Sequence, residues 1–515
     1  MACKEAVIYD ASQLPDQDLQ ADLCVIGSGA GGAMVAMVAA EAGLRVIVLE
    51  AGGFFSPDDM TQREEQMLPR LYWQGGGRTT RDRRIHIHQG KGVGGSTLHN
   101  LNLCKRIPEP VLRGWIARRG LQMLPLATWN ALYAEVETLL EVSEVPRDRW
   151  SEHNLLVERG VQALGWRGGG LRHNRTGCNN SGFCEIGCAY DGKNNAAKVL
   201  VPRAVRAGCR ILAHCQAVRV LHSNGQVSGV EAVAVRPDDG SPLAHVRVRA
   251  PRVCLAASAT ATAALLLRSQ VPDPGGETGK RLHIHPAVVA AGEFAEPVRA
   301  WQGIPQTYEC TEFLNFSEDA PADKPKRLWI IPAFGHPMGV ATMMPGSGAL
   351  HRSLMQRYDH LAVLTAMLHD GTSGTVAPDG DQGLAIDYQP DAKDRAELVE
   401  GLRASARLLF AAGAQRVWIP TTRPMRLDRL ADLRQLDGFS LTPDAMELTA
   451  VHPMGSVPMG DDPRIAAVGS DGRHHHLRGL WIGDGSLFPT SIGVPPQLSI
   501  YALGLHVGRA IAAHT

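Results

Sequence analysis

A surplus of one charge, long apolar runs and a cysteine framework are all missing from this sequence, and each absence excludes something. Lys+Arg 52 stand against Asp+Glu 52, so nothing indicates nucleic acid or another polyanion as a partner. The most apolar stretch near the start, residues 33–42, is interrupted by Glu41 and too short to cross a bilayer, so no transmembrane segment is expected. Residues 1–20 have no basic region followed by an apolar core, which argues against a secretory leader; a cytoplasmic location is expected, or export in the company of a partner subunit. Ten cysteines in 515 residues are too few for a disulfide scaffold, and Cys24 and Cys254 lie in apolar strand-like runs where buried free thiols are common. Cys178, Cys184 and Cys188 stand apart as a local group.

What is present is the balance of a globular enzyme: 44% hydrophobic and 20% charged residues, in a chain long enough for roughly two or three structural units and a large cofactor. Leu23-Cys24-Val25-Ile26 reads as a short strand that runs into Gly27-Ser28-Gly29-Ala30-Gly31-Gly32 and then a helix. That is G-x-G-x-x-G in its structural context. Gly27 permits the tight turn, Gly29 lets a pyrophosphate approach, and Gly32 lets helix pack on strand. The helix should end at Gly43, and a second strand, residues 45–49, delivers Glu50 to accept hydrogen bonds from ribose hydroxyls. The first helix turn offers its free N–H groups to phosphate. These residues specify a dinucleotide without choosing between FAD and NAD.

A second glycine-rich stretch, Gln89-Gly90-Lys91-Gly92-Val93-Gly94-Gly95-Ser96-Thr97-Leu98-His99-Asn100, resembles the first signature of the glucose-methanol-choline (GMC) oxidoreductases, with His99 where that family usually has an aliphatic residue. Residues 258–269 are similar to a loose second signature, with Ala263 and Gln270 as departures, and the run Gly479-Leu480-Trp481-Ile482-Gly483-Asp484-Gly485-Ser486 is closer still. The resemblance extends over nearly the whole chain, including residues 71–80, 202–220 and Leu282-His283-Ile284-His285-Pro286, and is greatest to bacterial relatives of long-chain alcohol oxidases. It implies FAD rather than NAD, with Gly94, Gly95, Ser96, Asn100, Val218, Asp484 and Gly485 joining the first glycines and Glu50 around the cofactor. It also implies an α/β fold in which a Rossmann-type FAD domain interleaves with a sheet-based substrate domain. The expected pieces are 15–110, 195–295 and 445–515 for FAD, a connecting segment at 111–194, and 296–444 for substrate.

The three grouped cysteines are spaced x5 and x3, with Ser181 where a ferredoxin-type C-x2-C-x2-C-x3-C run has its second thiolate. Loss of one ligand favours a 3Fe-4S cluster, and the spacing is similar to that of iron-sulfur GMC sugar dehydrogenases. Structural thiols, or a zinc site completed by His173, are the competing readings. A cluster would carry electrons singly from flavin to a quinone or cytochrome, and so would favour a dehydrogenase over an oxidase.

His452, in His452-Pro453-Met454-Gly455, matches the position of the GMC catalytic histidine, which handles the hydroxyl proton while hydride passes to flavin; an imidazole suits such work because small shifts tune it across neutral pH. The family's second member, His or Asn, aligns with Pro495, which has no polar side chain. Gln497, His99 and Asn100 are the candidate replacements. The expected activity is dehydrogenation of a hydrophobic alcohol. Reduction or desaturation of a carbon-carbon bond next to a carbonyl is the alternative, because one acid-base residue suffices for it, and a GMC-like lyase with structural FAD is a third. His86, His88 and His474-His475-His476 read as solvated strand-face and turn residues. In the substrate domain, residues 328–334 and 361–368 read as apolar strands and 395–412 as an amphipathic helix.

Overall fold

The four residues Leu23–Ile26 are buried on both faces of their strand, so the strand must lie centrally in a sheet with both sides covered. The computed structural model, which describes residues 8–316, 327–333, 335–344, 346–380 and 383–514, places it so. Leu23–Ile26 pairs in parallel with Val46–Leu49 on one side and Val253–Leu255 on the other. Arg210–Ala213 and Ile8–Asp10 extend the sheet beyond the first, and Leu480–Ile482 beyond the second, giving six strands. The helix Ala30–Glu41 covers this sheet and packs on the C-terminal helix Gln497–Ala513. Small residues set that approach: a Cβ on Gly504 would stand 2.7 Å from the Gly31 carbonyl oxygen.

A four-stranded sheet stands beside the first, in the order Cys215–Ser223, Gln226–Val235, Pro242–Arg249, Gln17–Gln20. The larger sheet has nine strands. Its centre is Ala287–Glu293, Leu361–Leu368 and Leu328–Pro332, all antiparallel, backed by the helix Ala392–Ala411. The two apolar stretches and the amphipathic helix read from the sequence are these elements, except that Phe334 and residues 1–7 lie outside the described residues. One short strand, Leu448–Ala450, joins Ala287–Glu293 through the antiparallel register Ala287↔Thr449. Counting outward from that pair puts residue 285 opposite residue 451, so the chain leaves the sheet with His285 beside His452.

Several histidines are used as uncharged core groups. His153, 1% exposed, donates from Nε2 to the Val363 carbonyl at 2.9 Å, and His369 donates to the Ser491 carbonyl at 3.0 Å. Burial pushes each of them, and His474, down to about 4 from the ordinary 6.5. The unfolded chain therefore binds protons that the folded chain refuses between about pH 6.5 and about pH 4. Stability should be level above that window and fall as pH drops through it, by roughly several kcal/mol in sum. Thermal melts across this range check it; a midpoint unchanged down to about pH 4 contradicts it.

Candidate active site

The first glycine loop and the second glycine-rich stretch meet around Glu50. Ser28 donates to the Glu50 carboxylate from its backbone N–H at 3.0 Å and from Oγ at 2.7 Å. The other carboxylate oxygen accepts the N–H groups of Gly52 at 2.9 Å and Gly92 at 3.2 Å. Gly94 N–H donates to Ser28 Oγ at 3.1 Å. Burial raises the Glu50 pKa, and these four donors oppose the rise; with them the carboxylate can stay charged in a 6% exposed position.

The glycines of the fingerprint divide into two kinds. Gly27 takes φ +95, a left-handed conformation, and a Cβ on Gly32 would lie 2.0 Å from the Gly27 carbonyl oxygen; these two are required by the protein itself. A Cβ on Gly29 would meet only Gly95 Cα at 3.9 Å. Gly29 is also the N-cap of Ala30–Glu41 and gives its first turn no side-chain acceptor. The space above Gly29 thus adjoins N–H groups that suit a pyrophosphate, and the residues fit a bound dinucleotide.

Asp484, 3% exposed, ties the C-terminal run to the same region: it accepts from Ser258 N–H at 2.9 Å, Thr262 Oγ1 at 2.6 Å and Ser486 N–H at 2.8 Å. Gly485 begins the short turn Gly485–Leu487 behind it, and Gly95 and Ser96 begin the turn Gly95–Leu98. Val218 falls at a bulge, skipped between the pairs Ala217↔Ala232 and Arg219↔Glu231, so its backbone is left out of the ladder there.

His452 is joined to His285, which is fully buried: their Nδ1 atoms lie 3.2 Å apart with the rings at 86°. His285 Nε2 accepts the Gly493 N–H at 2.9 Å. Beneath the pair, buried Asp370 accepts Ile284 N–H at 3.2 Å, His285 N–H at 3.3 Å and Tyr388 Oη–H at 2.8 Å. Burial pushes His452 down to about 3, so it is a neutral imidazole at working pH. His285 and Asp370 were not singled out from the sequence; the signal was the alternation His283-Ile284-His285 ahead of Pro286.

Two of the candidate replacements for the missing partner, Asn100 and Gln497, are bonded to each other. Asn100 Nδ2 donates to Gln497 Oε1 at 2.7 Å, and Gln497 Nε2 donates to the Leu103 carbonyl at 2.7 Å and to Asn174 Oδ1 at 3.2 Å. The two amides thus join the second glycine stretch to the start of the last helix. His99 lies against Tyr72, ring centroids 3.9 Å apart, and burial holds it well below the ordinary imidazole range.

Cys178, Cys184 and Cys188 are free, partly exposed and line one surface pocket. Their loop is pinned through carbonyls, with Arg149 on Cys178 and buried Lys193 on Cys184, while Arg175 Nη1 lies 3.5 Å from Cys178 Sγ. Among the described residues no three His, Cys, Asp or Glu side chains converge as metal ligands. The described residues give no support to a 3Fe-4S cluster on these thiols, nor to a zinc site completed by His173, which is fully buried with Nε2 on the Gln306 carbonyl at 2.9 Å. The preference for a dehydrogenase, which rested on the cluster, loses that support. His474 also departs from expectation: it is 3% exposed rather than solvated. Cys24 and Cys254 are the buried free thiols expected.

Two family models match the chain, both described as GMC oxidoreductase, over residues 68–287 and 372–504. A GMC-type oxidoreductase of Mycobacterium tuberculosis is 34% identical over 96% of this chain and 76% of its own length. A long-chain-alcohol oxidase of Arabidopsis thaliana is 27% identical over 96% of this chain and 68% of its own. Among solved structures, pyridoxine 4-oxidase of Mesorbium loti superposes with TM-score 0.69 at 20% identity, covering 95% of this chain and 98% of that one. Formate oxidase of Aspergillus oryzae, studied for its FAD modification, gives 0.70 at 15% identity over 96% and 98%. The two superpositions show the shared fold. No described helix is long and apolar enough to cross a membrane.

Proposed function

This chain belongs to the GMC oxidoreductase family, and from that premise we propose that it binds FAD and oxidises a hydrophobic alcohol to its carbonyl compound. The observation that carries the reading is the histidine pair: His452, at the position of the family's catalytic histidine, is backed at 3.2 Å by a fully buried second histidine. FAD, when bound, supplies the hydride acceptor. Ser28, Gly29, Glu50, Gly94 and the bulge at Val218 would hold it. His452 contributes the polar contact to the substrate oxygen, and Pro495 limits that contact to one side chain. The name of the Arabidopsis relative supports a long-chain or otherwise hydrophobic alcohol.

A second reading, hydride exchange with a carbon-carbon bond beside a carbonyl, is favoured by the same lone histidine, since such a substrate keeps an unprotonated oxygen. Acid release and chromatography of the bound flavin should yield FAD. Anaerobic mixing with straight-chain and alicyclic alcohols should then bleach the flavin spectrum. Reoxidation of chemically reduced flavin by enones, with alcohols inert, would replace the first reading with the second; a purified protein that cannot be loaded with flavin would end both.

A further inference from the structure

Buried cations are normally paired with an acid. Among the described residues the buried Lys and Arg side chains are Arg78 and Lys193, and neither is in an ion pair. Both are anchored on the second glycine-rich stretch. Arg78 Nη1 donates to Gln89 Oε1 at 2.8 Å, and its guanidinium lies over the Trp73 ring, 4.9 Å from the centroid. Lys193 Nζ donates to the carbonyls of Leu98 at 3.1 Å, Asn100 at 2.5 Å and Cys184 at 2.9 Å. Its three donors are thereby filled, but its charge is not neutralised. Burial pulls Lys193 down to about 8, which leaves it protonated near neutral pH. Glu185 acts on it only through space, and burial pushes that carboxyl up to about 8, so near neutral pH it is mostly uncharged. Arg175 adds to the positive charge, and Cys184 and Cys188 could offset it only as thiolates.

The bonds of Lys193 also place its charge along the cofactor. The space that suits a pyrophosphate adjoins Gly29 and Gly95. Leu98 and Asn100 come later in the same stretch, and Asn100 Nδ2 donates to Gln497 Oε1 at 2.7 Å. Gln497 closely follows Gly493, whose N–H donates to His285 beside His452. Lys193 is thus tied to the reacting end rather than to the nucleotide end. The neighbours there add no positive charge. Burial keeps His452, His285 and His99 neutral, and residues 493–497 have no ionisable side chain. Asp370, held low by His283 although its own burial opposes this, adds negative charge behind His285. A hydride arriving on flavin brings negative charge, and a fixed, buried cation stabilises such a charge far more than an exposed one. We propose that Lys193 is the buried counter-charge of the reduced flavin: its ammonium, fixed by the carbonyls of Leu98 and Asn100, stabilises the negative charge that the flavin ring acquires with the hydride and so favours oxidation of the alcohol. The proposal rests on FAD lying along residues 94–100, as read above.

The test uses the flavin-loaded full chain and sulfite, which adds its electron pair to the oxidised ring, bleaches it and leaves it negatively charged with no alcohol present. Wild type should form this adduct, and titration near neutral pH gives its dissociation constant. Lys193→Gln keeps N–H donors for the carbonyls but removes the charge. It should weaken sulfite binding on the order of tenfold, the scale of a unit-charge interaction over roughly 10 Å of protein interior. Lys193→Arg keeps the charge and should stay within about threefold of wild type. A lysine that only tied the loop in place would not separate the two variants in this order. Sulfite bound by the Gln variant as tightly as by wild type, or no adduct in wild type, overturns the proposal. So does tighter sulfite binding when Cys184→Ser and Cys188→Ser are combined, because thiolates would then already be neutralising the lysine. If neither lysine variant retains flavin, the wild-type adduct and the cysteine variant decide. A flavin-loaded chain inert to alcohols but with the expected sulfite pattern would sink the alcohol reading alone, whereas a chain that cannot be loaded with flavin overturns both.

Discussion

His452→Ala is expected to lower the rate of flavin reduction by roughly a hundredfold to ten-thousandfold, the usual effect of removing the group that takes the reacting hydroxyl proton, while flavin stays bound. The estimate rests on the proposed reading, in which His452 is the polar side chain at the substrate oxygen. Pro495 offers none, and the amides of Asn100 and Gln497 are spent on each other and on Leu103 and Asn174. Stability should fall only modestly, because the change leaves buried His285 Nδ1 without its hydrogen-bond partner, a loss of about 1–3 kcal/mol. His452→Gln separates two roles within this result. A glutamine amide can donate to a substrate oxygen and so should recover part of the rate if donation is the function; as a base it is inert, and an ionised-substrate mechanism would show no recovery. Anaerobic stopped-flow at saturating substrate is the measurement, and a rate in the Ala variant within about threefold of wild type would remove His452 from the chemistry.

Much of the nucleotide end was legible because its determinants are local. Gly27, Gly29 and Gly32 act on a single turn, the all-apolar strands at 23–26 and 46–49 must be central, and Glu50 follows its strand by one residue. What escaped is what the tertiary register creates. His285 meets His452 across 167 residues of chain through one antiparallel pair, Ala287↔Thr449, and no periodicity in either segment announces it. The bulge at Val218 depends on a partner strand thirteen and fourteen residues on, at Glu231 and Ala232. The cysteine spacing was open to several readings for a related reason: spacing states how far thiols can reach, whereas Arg149 and Lys193 bond to the loop's carbonyls and help hold it. Asn100 and Gln497 were singled out as candidate replacements for the missing catalytic partner, and their bond to each other could not be read from two separate motifs.

Gly29→Ala and Gly32→Ala should fail in opposite ways, although they lie three residues apart in one loop. A methyl on Gly32 stands 2.0 Å from the Gly27 carbonyl oxygen and 3.0 Å from Ala256 Cβ. The obstacle at Gly32 is backbone, itself fixed because Gly27 N–H donates to the Leu49 carbonyl at 2.8 Å, so neither side can give way cheaply. A cost above roughly 4 kcal/mol is expected, a large share of the roughly 5–15 kcal/mol that holds a domain; the variant should express poorly or melt far below wild type. A methyl on Gly29 has no neighbour nearer than 3.9 Å, and the residue's φ of −67 suits alanine. That variant should fold with a melting midpoint close to wild type in the apo state, since replacing a glycine N-cap by alanine costs on the order of 1 kcal/mol. It should nevertheless lose most of its flavin, because the methyl fills the ground over which the pyrophosphate would reach the helix N–H groups. Visible-to-ultraviolet absorbance ratios and apo-state melts of the two variants make the comparison. Full flavin content in Gly29→Ala would show that the space above Gly29 is not where the cofactor's phosphates lie, and a normally folded Gly32→Ala would show that this turn yields far more readily than its contacts require.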